Sequence, residues 1–473
     1  MTERRGSSTA SGAWRRTVTA GASVLLVGSA LATGAAAVAT SAAPGASVSG
    51  AVASDGVQAN ATSHGAVISA AGRYVAFSSA AWNLVPGDTL GVYQVFVRNL
   101  RSGTTRLVSV GPDGAKGNGA SYATSISADG RYVVFDSQAS DLVAGDTNGT
   151  EDVFVRDLVD EVTQRVSVSS SGAQADAPSV GGSISADGSR LAFGSDATNL
   201  VVGDTNDAPD VFVRNLGTGV TRRVSVSSRG VQADGYSYLG SVAHDGPFLQ
   251  PAESLSADGH LVVFRSAAPN LVAGDTNHAL DIFVRNLRTD VTRRVSVNSS
   301  GQPSNASSHD GSISENGRYV TFSSFGSNLV PGDTNRRSDI FLRDLKNHVT
   351  RRLTVGVGGT QTHISTYGGS ISADGRAVTF ASRAANLVRG DTFDGTYDIF
   401  VRNWSNHVTR RLSVSSTGVA ADGSSVRGAT SEDGRFIAFD SVATNLVAGD
   451  TNAVSDIFVR DRARHVTVRV SVG

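Results

Sequence analysis

An all-β, seven-bladed β-propeller with four antiparallel strands per blade is the architecture this sequence predicts, on three observations. Gly-Asp-Thr recurs seven times, with its aspartates at Asp88, Asp146, Asp204, Asp275, Asp333, Asp391 and Asp450. Their separations are 58, 58, 71, 58, 58 and 59 residues, the mark of one supersecondary unit copied in series and stacked on its neighbours. Within each copy the apolar residues alternate with polar ones over short runs, the period of half-buried strands and not of helices.

The second copy shows how the four strands arise. Ser125-Ile126-Ser127 leads into Ala128-Asp129-Gly130, where Asp-Gly between alternating runs signals a hairpin because glycine accepts positive φ. Tyr132 to Phe135 is a β-branched and aromatic run. A longer connection through Gly145-Asp146-Thr147-Asn148 reaches Asp152 to Leu158, and Thr163 to Ser169 alternates again. Four short strands in a unit of this length make a propeller blade, repeated radially so that few edges stay open.

Ser127–Phe135 (Ser-Ala-Asp-Gly-Arg-Tyr-Val-Val-Phe) followed by Asp152–Leu158 (Asp-Val-Phe-Val-Arg-Asp-Leu) resembles the WD40-like (PD40) repeat of the TolB-like propeller family. The resemblance runs from about Ser63 to the C-terminus and recurs in every copy. It implies a propeller. The α/β domain that precedes the propeller in TolB has no counterpart here, and the copies are longer and number seven.

Composition narrows the classes. The net charge is −1; Arg4, Arg5, Arg15 and Arg16 against Glu3 put +3 of it in the first 40 residues, leaving −4 for the rest. That balance favours no nucleic acid or anionic membrane. Residues 1–43 read as a secretory signal peptide: Arg15-Arg16, an apolar stretch from Val18 to Ala32, then small residues ending in an Ala-x-Ala site. An exported, monomeric protein without a transmembrane anchor is expected. With no cysteine, disulfides, thiolate catalysis and a lipidated cysteine are excluded. Residues 44–62 form a leader, of which 46–55 are expected to add an outer edge strand, and ring closure is expected from blade-to-blade packing.

Three repeated constellations could carry chemistry. The Gly-Asp-Thr-Asn-x-x-x-Asp loops place Asp146, Asn148 and Asp152; Asp204, Asn206 and Asp210; Asp275, Asn277 and Asp281; Asp333, Asn335 and Asp339; and Asp450, Asn452 and Asp456. Carboxylate and amide oxygens at such spacing suit calcium, the one cofactor the sequence suggests; they equally suit a turn held by its own backbone. Copy one carries Leu90 and Gln94 instead, and copy six carries Asp394 in the asparagine's place. Between blades stand Asn60, Asn118, Asp176, Asp234, Asn305 and Asp422, each with serine three residues later, read as loop caps. Arg98, Arg156, Arg214, Arg285, Arg343, Arg402 and Arg460 share one third-strand position, read as a scaffold ion pair to an aspartate or, less favoured, as an anion-binding ring.

The repeat breaks its rule most visibly in an insertion at about 235–257. Tyr236, Tyr238 and His244, with Asp245, Phe248 and Gln250, are candidate ligand contacts there, on the face that carries the interblade connections. No phosphate loop, zinc motif or Gly-x-Ser-x-Gly occurs, and the nine histidines show no ligand spacing. The sequence therefore favours a module that binds a protein or carbohydrate. The alternative is a polysaccharide lyase or glycosidase, recognisable by a His/Tyr/Asp/Arg cluster at the channel mouth outside the repeat consensus.

Overall fold

The computed structural model describes residues 56–87, 91–240, 253–391 and 395–473. They form seven four-stranded antiparallel sheets, each taking its strands in chain order. Blade two is typical, with strands Ser121–Ile126, Tyr132–Ser137, Asp152–Asp157 and Val162–Arg165. This is the seven-bladed propeller that the period predicts.

The middle strands are apolar because both of their faces are covered. Each blade stacks one phenylalanine of its second strand on one of its third, as Phe135 on Phe154 with ring centroids 5.7 Å apart. That pair packs against Val95 and Val97 of the blade before, so the core lies between blades and not within them. Burying such aromatic pairs contributes roughly 0.5–1.5 kcal/mol each beyond their area. The last such core joins Ile457 and Val459 of blade seven to Phe77 and Phe96 of blade one.

The Asp-Gly hairpins do two things at once. Gly130 sits at φ 77°, and a Cβ there would lie 2.2 Å from the Tyr74 ring of the preceding blade; glycine is needed for backbone hand and for contact. Around the axis the same hairpins donate to one another. Ala70 N bonds Ala128 O at 3.1 Å, Ala128 N bonds Ala186 O at 3.2 Å, and Ala186 N bonds Ala257 O at 3.1 Å. The ring continues through Glu315, Ala373 and Glu432, whose N returns to Ala70 O at 3.0 Å.

Closure uses more than packing. Gln58 pairs antiparallel with Val472, Ala59 N donates to Ser471 O at 3.1 Å, and Gly473 N donates to Val57 O at 2.9 Å. Val168 pairs with Gln174 in the same way inside blade two. The N-terminal segment thus supplies for blade seven what the following connection supplies for the other blades. The edge strand expected over 46–55 lies outside the described residues.

The third-strand arginines are scaffold, but not as ion pairs to aspartate in the main. Arg214 Nη1 donates to Val168 O, Ser169 O and Thr221 Oγ1 at 3.4, 3.1 and 2.9 Å. Arg98 Nη1 likewise reaches Val472 O at 2.9 Å and Thr105 Oγ1 at 2.7 Å. Both staple their blade to the segment that follows the last strand of the blade before. Arg285 adds a carboxylate, Asp290 at 2.9 Å. Carbonyl oxygens satisfy the guanidinium's planar donors without a buried counter-charge, which the sequence pattern does not distinguish from an ion pair. These arginines face sheet backbone, so they do not form an open anion ring.

Candidate functional site

In a sheet ordered 1-2-3-4, the turns 1–2 and 3–4 lie at one end, and the 2–3 loop and the connection to the next blade at the other. The Asp-Thr-Asn loops and the interblade connections therefore meet, and they are bonded: Gln174 Nε2 donates to Asp146 Oδ1 at 2.8 Å and to Asp152 Oδ2 at 3.1 Å.

The structure brings Asp146, Asn148 and Asp152 together, and an arginine with them. Arg165 Nη1 lies 3.2 Å from Asp146 and 3.3 Å from Asp152. Arg223 holds Asp204 and Asp210 at 3.0 and 3.1 Å, and Arg294 holds Asp275 and Asp281 at 3.3 and 3.2 Å. Arg352 with Asp333 and Asp339, and Arg469 with Asp450 and Asp456, are looser at 3.4 to 3.9 Å. The asparagine presents its amide nitrogen, not its oxygen, to the carboxylate. Asn148 Nδ2 donates to Asp152 at 3.1 Å and to Ala175 O at 3.0 Å, and Asn206, Asn277, Asn335 and Asn452 do the same. A guanidinium thus stands where calcium would be needed, and the amide points its positive end inward. Among the described residues no group of three or more His, Asp or Glu is arranged to hold a metal. The fourth-strand arginine was the signal to weigh: it recurs in every copy that has both aspartates.

The interblade Asx residues do not cap their own loops as expected; they accept from the 2–3 loop of the blade that follows. Asp176 Oδ1 accepts from Thr198 N at 2.9 Å, and Asn118 Oδ1 from Ser140 N at 2.9 Å. Their serines bond across the first two strands, as Ser121 with Ser137 at 2.8 Å.

Directly inside these loops the repeat is abandoned. The residue after the first-strand serine is His64, Tyr122, Val180, Tyr238, His309, Tyr367 or Val426, and its second-strand partner is Ser78, Asp136, Gly194, Arg265, Ser323, Ala381 or Asp440. First strands line the axis of a propeller, so these side chains form the rim of its channel. Tyr238 is part of it, paired with Arg265, whose guanidinium lies 5.4 Å from the tyrosine ring. Tyr236 is exposed and packs on Tyr238 at 5.7 Å. His244, Asp245, Phe248 and Gln250 lie outside the described residues.

The richest arc spans blades seven, one and two. His64 packs 4.7 Å from Tyr93 and 5.8 Å from Tyr122, and the two tyrosine rings are 5.6 Å apart. Arg427 forms an ion pair with buried Asp440 at 3.1 Å. Burial, aided by Arg427, pushes the His64 imidazole down to about 4, so it is neutral near pH 7. Burial raises the Tyr122 phenol, with Glu151 and Tyr93 adding to it. Burial also pushes the Asp136 carboxyl well up, and the Glu151 charge adds. Asp136 Oδ2 accepts from Gly181 N at 2.9 Å, while its buried Oδ1 has no hydrogen-bond partner.

Part of this rim is seam. Asp440 Oδ2 accepts from Gly65 N at 3.0 Å and Asp310 Oδ2 from Gly368 N at 3.3 Å, each catching the next blade's amide as Asp136 does. Asp310 and Arg427 sit at φ 56° and 57°, where the equivalent Gly65 and Gly181 have φ 71° and 69°. A side chain held in that region costs about 1–3 kcal/mol, which its ion pair or hydrogen bond must offset. Sequence reasoning missed this rim because it follows what repeats; the signal was the pair of adjacent first-strand columns that do not.

No family model and no curated protein matches the chain. Among the solved structures that it resembles are three at low identity. TolB from Acinetobacter baumannii has 14% identity over 80% of this chain and 75% of its own, with TM-score 0.39. Oligogalacturonate lyase from Vibrio parahaemolyticus has 13% identity over 86% and 91%, with TM-score 0.49. The β-propeller domain of the Trilobed protease from Pyrococcus furiosus has 9% identity over 87% and 97%, with TM-score 0.49.

Proposed function

We propose that this chain is an exported propeller that binds a carbohydrate or a polar segment of a partner protein at the channel rim on the interblade face. One observation carries the reading: the aromatic, histidine and arginine side chains that break the sevenfold repeat gather on that rim. Tyrosine faces stack on sugar rings or planar groups, and Arg265 and Arg427 supply donors to acidic ones. Export rests on the leader at 1–43; among the described residues no helix is long and apolar enough to cross a membrane. Titration calorimetry of the mature protein against neutral and uronic-acid oligosaccharides tests the site. Binding that is lost in Tyr122→Ala supports it; binding that survives both Tyr122→Ala and Tyr238→Ala sinks it.

A second reading has its own support, since a His/Tyr/Asp/Arg cluster outside the repeat consensus at the rim is the feature expected of a propeller enzyme. The acid pair Asp136 and Glu151 has no counterpart in the other blades, and Asp136 is held towards its protonated form, as a general acid requires. On this reading the rim cleaves a polysaccharide. New reducing ends or unsaturated products, absent with Asp136→Asn, are its expected signature.

A further inference from the structure

On the opposite face, a groove of about 650 Å³ opens between blades four and five, within the range of small-ligand sites. It does not rest on the channel-rim reading. Its floor is apolar, Leu261, Val291 and Leu345, and its rim carries Arg293, Lys346 and His348. Among the described residues no carboxylate pairs with these three side chains; Asp344 is taken up by Arg318 at 2.8 Å.

The seam between blades one and two is the internal control. There the hairpin tip reads Asp157-Leu158-Val159-Asp160-Glu161, and here Asp344-Leu345-Lys346-Asn347-His348. Glu161 neutralises Arg106 at 2.7 Å, and Asp160 with Asp157 neutralises Arg131 at 2.6 Å. The same Arg106 position is Arg293 in blade four, and the Glu161 position is His348. Tyr74 narrows the first seam to about 390 Å³; Leu261 stands in its place here. The seam between blades three and four is also neutral, Arg222 with Asp290 at 2.7 Å. At the next seam Trp404 fills the space, under Arg351 at 5.4 Å and against Tyr319 at 5.5 Å. Unlike these three seams, this groove combines an open apolar floor with an arginine and a lysine that no acid neutralises among the described residues.

We infer that the groove between blades four and five binds a small amphiphilic anion, its aliphatic body on Leu261 and Leu345 and its phosphate or carboxylate between Arg293, Lys346 and His348. A charge set that the two adjoining seams and the seam of blades one and two neutralise or fill is left for a ligand to complete.

The test uses the mature protein with hexyl phosphate, inorganic phosphate and hexanol as separate probes in titration calorimetry. Hexyl phosphate is expected to bind saturably and to weaken with salt, with both single-feature probes at least about tenfold weaker. The variant Lys346→Val with His348→Glu rebuilds the blade-two tip and is expected to lose binding at least about tenfold, with an unchanged melting temperature. No saturable binding of hexyl phosphate at millimolar concentration, or equal binding by the variant, overturns the inference. Equal binding of hexanol reduces the groove to an apolar crevice and overturns it too; equal binding of inorganic phosphate overturns the amphiphile.

Discussion

In blade two, Asp152 lies buried between Arg165, Ser167 and Gln174, whereas blade one puts Gln94 and Leu107 at the aspartate and arginine positions. Gln94 still accepts from the strand-four serine, Ser109 Oγ at 2.6 Å, and spends its amide on Gly117 O and Gly119 O at 3.2 and 3.1 Å. The second carboxylate and the arginine have disappeared together, while Asp88 stays in the sequence at the Asp146 position, and the hydrogen bonds of the replaced carboxylate have been kept. A carboxylate needed only for a metal would not depend on a strand-four arginine; the one at the Asp152 position, the more buried of the pair, goes when the arginine goes. Blade seven lies between the two, complete only because Gln58 reaches in from the other end of the chain, 2.7 Å from Asp450 and 3.2 Å from Asp456.

The largest effect should come from breaking that borrowed clasp. Deleting residues 56–60 removes the pairing of Gln58 with Val472, the bonds of Ala59, and both contacts to the buried aspartates. With net contributions of about 1 kcal/mol per hydrogen bond, several lost together should destabilise the ring by on the order of 5 kcal/mol. Thermal melts of the mature chain and of a chain starting at residue 61 measure it. Equal midpoints would mean that packing alone closes the ring.

Next in size is a direct conversion of blade two into blade one. Arg165→Leu alone leaves two carboxylates buried without a counter-charge, and removing one partner of a buried pair costs about 3–5 kcal/mol. The double change Asp152→Gln with Arg165→Leu should cost clearly less than the single one. If the two variants melt alike, the arginine is not the carboxylates' partner in any energetic sense.

The fold was legible because periodicity reports backbone geometry, and the Gly-Asp and Asp-Gly turns fix where each strand ends. The candidate site was legible only in part. Tyr238 stood out beside an insertion, but His64, Asp136 and Arg427 look like noise in a repeat until the sheet register aligns them around one axis. Likewise the arginine at 165 looks like any strand-edge cation, since nothing local says that its side chain crosses 13 residues back to Asp152. Long-range partners are a property of register, and register is what alternation leaves open.

Neutral and charged copies also differ at the axis, with a smaller effect. Five hairpins place alanine there (Ala70, Ala128, Ala186, Ala257 and Ala373), and two place Glu315 and Glu432. Burial, then Glu432, raises the Glu315 carboxyl to about 7, and Glu253 beside it is pushed up by burial and by Glu315. A carboxyl raised in the folded state favours folding while protonated. That stability is present below its ordinary value near 4.5 and is lost as pH rises through about 7. The melting temperature should therefore fall between about pH 5 and pH 8, and Glu315→Gln should fall less. Parallel curves would remove Glu315 from the account.

The smallest expected effect is that of calcium on the melting temperature, and it bears directly on what the repeated loops are for. Calcium takes six to eight oxygen ligands, and the Asp146, Asn148 and Asp152 set offers two carboxylates already bonded to a guanidinium and an amide turned nitrogen-inward. To enter, the ion would have to displace Arg165 into surroundings where its side chain is 10% exposed. A site filled at a hundredfold excess over its dissociation constant would add about 2.7 kcal/mol, easily seen in a melt. The arginine-clasped loops are expected to add none, so calcium and chelator should give the same midpoint for the wild type. The sharper arm is Arg165→Leu, which vacates the cation position in blade two. If calcium raises the melting temperature of that variant and not of the wild type, the loop has a cation-shaped centre that arginine normally fills. If calcium raises both alike, the clasp reading of these loops fails.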